Sequence, residues 1–369
     1  MMKHLKLVWL LVFLFSSTLL AQSGSEPAMF RANLQRTGLF ETTGVKRFHA
    51  VKWKFKTNRV IEAWFSSPVI ANEMVYFGSD DGFVYAVDAS SGKLNWKFKT
   101  DDVVYSSPTI MDGVVYVGSH DTYLYALEAK TGKQLWKFKT GYRVYSSPAV
   151  DKGVVYFGSA DGYLYAVDAA TGKQRWRFHT GSWLISSPAI FDAVIYIGCW
   201  DHNVYAVDAE TGRAKWRFAT GARVLSSPAI SGAKVYFGSM DGVLYALEAT
   251  TGRAIWRFHT ADLIRSSPAI FDGIVYIGSG DTNLYAVDAE TGDEKWRFKT
   301  KGDVISSPAI AAGLIYFGSA DGHLYAVDSK TGKEKWKFKT APSWMRSSPA
   351  VASGTVYFGN DDGYFYAVD

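Results

Sequence analysis

Cysteine is almost absent from this chain of 369 residues: Cys199 is the only one. No intramolecular disulfide can form, and a pair of adjacent cysteines is excluded. Its plainest reading is a small apolar residue in a strand. Long apolar runs are equally scarce. The one near the start, Leu7 to Phe15, is too short for a good membrane span. With Lys3, His4 and Lys6 before it and small and apolar residues from Ser16 to Ala21, it reads as a signal peptide over residues 1–21. Gln22 stands where a lipoprotein would carry its cysteine, so a soluble periplasmic or secreted protein without stable membrane insertion is expected. Nor is there a basic stripe. The net charge is +5, but Lys and Arg are spread along the chain, which gives nucleic-acid binding little support. Nucleophile elbows, phosphate loops and Cys/His clusters are missing too.

What the chain has is repetition. Tryptophan recurs at 96, 136, 176, 216, 256, 296 and 336, every 40 residues. Each closes the pattern Ala-x-Asp/Glu-Ala/Ser-x-Thr/Ser-Gly-x-x-x-Trp, as in Ala126–Trp136. An eighth copy is split: its front is Ala367-Val368-Asp369 and its back is Trp53-Lys54-Phe55-Lys56-Thr57. Aromatics at 16% and apolar residues at 48% suffice for a packed core.

Within one period four strand signals alternate with turn chemistry. They are Val144 to Val150, containing Ser146-Ser147-Pro148, then Val154 to Gly158, Tyr163 to Val167, and Trp176 to Thr180. The last alternates aromatic and charged residues, as a strand with one dry and one wet face does. Four short strands per 40 residues predict an all-β, eight-bladed propeller over residues 51–369. The chain ends one strand short, so the surplus strand at 51–57 is expected to complete the last blade and close the ring, covering an edge that would otherwise aggregate. Residues 22–50 are read as a lead-in laid over the edge or floor of this single domain.

Residues found in every blade belong to the scaffold, because a single active site needs only one set of groups. Trp53, Trp96, Trp136, Trp176, Trp216, Trp256, Trp296 and Trp336 are therefore read as wedges between blades. Thr-Gly makes the turn before the outer strand. The recurring aspartate between second and third strands, such as Asp161, is read as an acceptor for backbone N–H groups of its own turn.

The Ala-x-Asp-x-x-Thr-Gly-Lys-x-x-Trp pattern resembles the tryptophan-docking motif of the pyrroloquinoline-quinone (PQQ) repeat family. Seven copies of its looser Ala-x-Asp/Glu form given above carry the resemblance across residues 51–369. That family holds the eight-bladed quinoprotein dehydrogenases and the non-catalytic BamB-type propellers. The resemblance implies two functions: a binding scaffold in the cell envelope, as in protein assembly, or a PQQ- and calcium-dependent dehydrogenase of alcohols or sugars. The enzymes use a Glu/Asn/Asp calcium site, a catalytic Asp and often a disulfide of adjacent cysteines. Asn203, Asn283, Asn360, Glu62 and Asp303 occupy loops, but no spacing assembles such a set, and no catalytic, cofactor or metal residue is assigned. His120, His202 and His323 stand in different blades, too far apart for one metal.

Where the repeats disagree, function has room. Disagreement concentrates in the loop entering the Ser-Ser-Pro segment and the loop between second and third strands, which emerge on one face. Trp64, Trp183, Trp200 and Trp344 all lie there, and with Phe65, Tyr105, Tyr142, Arg143, Tyr145, Arg223, Arg265 and Arg346 they form the candidate partner-binding set. Tyr, Trp and Arg dominate binding hot spots. A monomeric, non-catalytic protein recognising a protein or glycan partner is the expected function. The bland alternative is that these aromatics plug the central channel.

Overall fold

The computed structural model describes residues 28–58, 66–340 and 344–369. Eight antiparallel sheets follow one another around an axis. In the third blade Ala149–Asp151, Val154–Gly158, Tyr163–Asp168 and Gln174–His179 pair in chain order from the channel outward. The two middle strands are buried on both faces, while the outer one alternates half-buried and exposed positions. Each hydrophobic cluster spans two neighbouring blades; one joins Tyr116, Leu124 and Val144 to Val155, Phe157 and Tyr165. No blade buries its own face alone, so the ring must close to be stable. Among the described residues no helix is long and apolar enough to cross a membrane.

The ring closes as expected. Val51–Lys56 pairs with Tyr364–Val368, setting Trp53 opposite Ala367 and Phe55 opposite Phe365. Trp53 thereby takes the register that Trp176 has against Ala166.

Each repeated tryptophan docks on the next blade. Trp96 Nε1 donates to Ala129 O at 2.9 Å, and the Tyr76 hydroxyl donates to the same carbonyl at 3.2 Å. The same pairing recurs at Ala169, Ala209, Ala249, Ala289 and Ser329. Gly132 turns the corner at φ 73°, and a Cβ there would lie 2.6 Å from the Trp96 ring. Only glycine allows both the turn and the ring contact. The recurring aspartates behave as read. Asp161 Oδ1 accepts from Tyr163 N, while Oδ2 also takes the Tyr165 hydroxyl and the N–H of Gly141.

One expectation is corrected. Ser146-Ser147-Pro148 is not strand; the inner strand begins only at Ala149. Proline has no N–H for a ladder, and the serines are otherwise engaged. Ser107 N donates to Ser147 Oγ, Ser147 N to Ser187 Oγ, and so on through Ser227, Ser267, Ser307, Ser348 and Ser67, which returns to Ser107. Eight hydrogen bonds close a circle around the channel, one from each blade to the next.

Residues 28–43 run through that channel, satisfying free backbone groups of the inner strands blade by blade. Ala28–Met29 pairs with Thr109–Met111 of the second blade. The carbonyls of Leu34, Gln35, Thr37 and Gly38 accept the N–H groups of Ile190, Ile230, Ile270 and Ile310 in turn. Thr43 O then accepts from Gly354 N in the eighth blade. The lead-in is a plug in the bore.

Candidate functional site

The Ser-Ser-Pro segments and the turns between second and third strands put their variable residues on one face. Alternation along the entry segment turns Val144 and Ser146 into the blade, both fully buried, whereas Tyr145 is half-buried. The first turn residue after the second strand is anchored to the entry loop: Trp200 N donates to Trp183 O at 3.1 Å, and His120 N to Val103 O at 3.0 Å. Backbone bonds thus fix the side chains of the two loops against each other.

They form a continuous arc across the second to fifth blades. Arg223 lies over the Trp200 ring at 4.4 Å. Trp200 stacks on Trp183 at 4.7 Å and 26°. Trp183 faces Tyr145 at 6.4 Å and 20°, and Tyr142 at 5.9 Å. Tyr145 covers His120 at 4.0 Å, and Tyr105 meets His120 edge-on at 4.6 Å. Arg143 sits over Tyr142 at 5.6 Å, and its hydrogen bond to Tyr145 holds its pKa above the usual value. Tyr142 is 41% exposed, so the arc offers aromatic faces with guanidinium edges to solvent.

His120 is its buried centre. Burial first, then the Arg143 charge, push its pKa down to about 4. Its Nε2 and the Trp200 Nε1 are buried without a hydrogen-bond partner. The arc therefore has polar atoms in reserve as well as ring faces.

The other candidates are placed differently. Trp344, 43% exposed, stacks under Arg346 at 4.6 Å, and Arg346 pairs with Asp361 at 3.0 Å. This second patch belongs to the eighth blade. Arg265 is exposed on the entry loop of the sixth blade, outside the arc. Trp64 and Phe65 lie outside the described residues. Cys199 replaces the serine found at 119, 159 and 239, and its thiol sits 3.4 Å from Thr180 Oγ1. Burial pushes that thiol up to about 12, away from nucleophilic chemistry. By sequence His120 is only a variable loop position set aside as a metal ligand, and the plug residues Arg31 and Arg36 are not site candidates. His120 shows only as a departure from the repeat, and the two arginines precede it altogether.

A quinone with calcium would need converging cation ligands. Among the described residues no three His, Cys, Asp or Glu side chains converge in that way. Asn203 and Asn283 donate to Asp201 and Asp281 within their own turns. Asn360 is buried in the eighth blade, and residues 28–43 run through the bore. Glu62 lies outside the described residues, and the donor set of those described does not fit that group.

Comparison with known proteins agrees with this architecture. The family profile described as the β-propeller of the β-alanine-activating enzyme matches residues 38–231, more than half the chain. The chain belongs to this propeller family. Residues 240–369 match a PQQ-repeat profile described as outer membrane protein assembly factor BamB. No curated protein matches the sequence. BamB from Moraxella catarrhalis superposes with a TM-score of 0.74 at 20% identity, covering 87% of this chain and 97% of its own. The quinohemoprotein alcohol dehydrogenase of Comamonas testosteroni gives 0.79 at 17%, covering 92% and 80%. The computationally designed Ika8 protein gives 0.75 at 19%, covering 84% and 97%. At such identities the likeness is one of fold. An assembly factor, an enzyme and a designed protein share this propeller, so function must be argued from the loop face.

Proposed function

We propose that this protein is a non-catalytic binding propeller of the cell envelope, holding a protein partner against the aromatic arc of its loop face. The observation that carries this reading is the arc itself. Tyr105, Tyr142, Tyr145, Trp183, Trp200 and Arg223 come from four blades, depart from the repeat, and contact one another in series. Scaffold positions are uniform around the ring; these are not. Half-exposed Tyr, Trp and Arg over a rigid base lose little side-chain entropy on binding. The fold of BamB, described as an outer membrane protein assembly factor, supports an envelope partner, and residues 1–21, outside the described residues, have the character of an export signal.

A photo-crosslinking residue placed at Tyr142 tests this, with one at Lys215 on an outer strand as the control. The expected result is a defined partner captured from Tyr142 only, and lost when Trp183 and Trp200 are both Ser. Identical captures at both positions would sink the reading. Capture of a glycan instead of a protein would keep the face and change the partner. Stoichiometric PQQ binding with calcium, together with alcohol- or sugar-dependent dye reduction, would replace binding with catalysis.

A further inference from the structure

Arg31 is 4% exposed and Arg36 fully buried, both in the bore. Buried charges are ordinarily paired with an opposite charge, yet their partners here are neutral carbonyls. Arg31 Nη2 donates to Pro268 O, Nη1 to Pro308 O at 3.4 Å and Nε to Arg36 O at 3.1 Å. Arg36 donates to the carbonyls of Pro188, Phe30, Ser147 and Pro148 at 2.6–3.2 Å. No carboxylate of the described residues offsets either charge. Burial lowers both guanidinium pKa values to about 9, and Arg31 depresses Arg36 further by like charge.

Donors are left over beside them. A guanidinium has five N–H groups, and Arg31 donates through each nitrogen once, which leaves one hydrogen on each terminal nitrogen. Lining the same space, Ser67, Ser307 and Ser348 each accept a backbone N–H on Oγ in the serine circle, so their hydroxyl hydrogens remain to give. These three consecutive serines and Arg31 line one small cavity of about 10 Å³, with Phe30 and Phe40 among its walls. Such a space takes one occupant near the size of a water molecule and no tetrahedral oxyanion.

We propose that this cavity binds a single halide ion, chloride in the cell, held by Arg31 and the hydroxyls of Ser67, Ser307 and Ser348. Water would use the spare donors but would leave the Arg31 charge uncompensated in a low-dielectric bore; a halide does both. Its desolvation is modest beside that of a multivalent anion. The site joins the plug to the first, seventh and eighth blades, where the two ends of the chain meet, and so ties ring closure to anion binding.

Crystals of the full chain soaked in bromide test the site directly. An anomalous peak within hydrogen-bonding distance of the Arg31 terminal nitrogens is expected; a water there, or bromide only at the surface, overturns the proposal. In solution, thermal unfolding in sodium chloride is compared with sodium gluconate at equal ionic strength. Stability is expected to rise with the logarithm of chloride concentration, and equal midpoints in both salts would overturn it. Arg31→Gln also removes carbonyl contacts, so Ser348→Ala is the informative variant. Losing one hydrogen bond to an ion is expected to raise the chloride concentration needed by roughly tenfold. Unchanged chloride dependence in Ser348→Ala would remove the ion from this cavity.

Discussion

Seven blade corners are made from continuous repeats; the eighth is assembled from segments far apart in the chain. At Trp96 the indole docks on Ala129 O and packs against Gly132. At Trp336 the corner is supplied by the lead-in. The indole Nε1 donates instead to Val45 O at 2.7 Å, the Tyr316 hydroxyl bonds the same residue, and Phe48 meets the ring at 5.9 Å. Asp369 O accepts from His49 N and Ala50 N, steering the lead-in into the fourth strand. The seam thus keeps the acceptor and the apolar lid while changing every residue that supplies them. A docking corner is a geometric requirement, one carbonyl and one packed surface, and side-chain identity is only the usual means of meeting it.

The largest expected effect breaks the seam outright. A chain beginning at Asn58 loses the plug, the Val45 corner and the Val51–Lys56 strand together. It is expected to lose cooperative unfolding and to associate through the exposed edge of Tyr364–Val368. Light scattering and thermal denaturation read this, and a stable monomer would show that the seam is dispensable.

Next come the corners themselves. Trp96→Ala and Trp336→Ala should each cost about 3–5 kcal/mol in urea unfolding, since both rings are more than nine-tenths buried. A much smaller loss at Trp336 would make the seam a weaker imitation of the repeat. Trp183→Ser, on the half-exposed arc, should cost well under half as much; equal losses would make the arc part of the scaffold.

His120 sharpens the contrast between scaffold and face through pH. Its folded pKa of about 4 lies below its ordinary value, so the unfolded chain binds the proton first. Stability from the neutral ring is present above about pH 6.5 and is lost as pH falls toward 4. Asp102 opposes this and Arg143 reinforces it. His120→Phe is expected to flatten stability over that window in pH-dependent denaturation, and an unchanged slope would exclude His120 as its source.

The smallest effect lies at the outer rim. Asp168 is held down to about 2 by Arg175 and then by Thr171, so its contribution is present above about pH 4 and fades as pH falls toward 2. The Arg175 side chain is 46% exposed, and screening keeps Asp168→Asn below about 1 kcal/mol in urea unfolding at neutral pH. A larger loss would mean that this corner carbonyl depends on its carboxylate.

Much of this was legible in the sequence because repetition averages out local ambiguity. Seven copies of Thr/Ser-Gly-x-x-x-Trp locate turns and outer strands, and the missing last strand names its own replacement. The Ser-Ser-Pro segment looks like strand in sequence because its bonds run between blades, about 40 residues apart, and no local pattern records them. The arc was legible as a set of departures from the repeat, but its order was not. Nothing along the chain shows that Trp183 stacks on Trp200 or that His120 lies beneath Tyr145.

The sequence by itself determined the blade, the number of blades and how the ring closes, because a strict period in hydrophobic pattern and turn residues leaves one architecture that buries every face. Tertiary structure alone decided what fills the middle. Residues 28–43 carry no repeat, and nothing along the chain marks Arg31 and Arg36 as buried until the closed ring surrounds them. Their place comes from unpaired inner-strand amides and carbonyls converging on one axis, and that convergence exists only once all eight blades stand together.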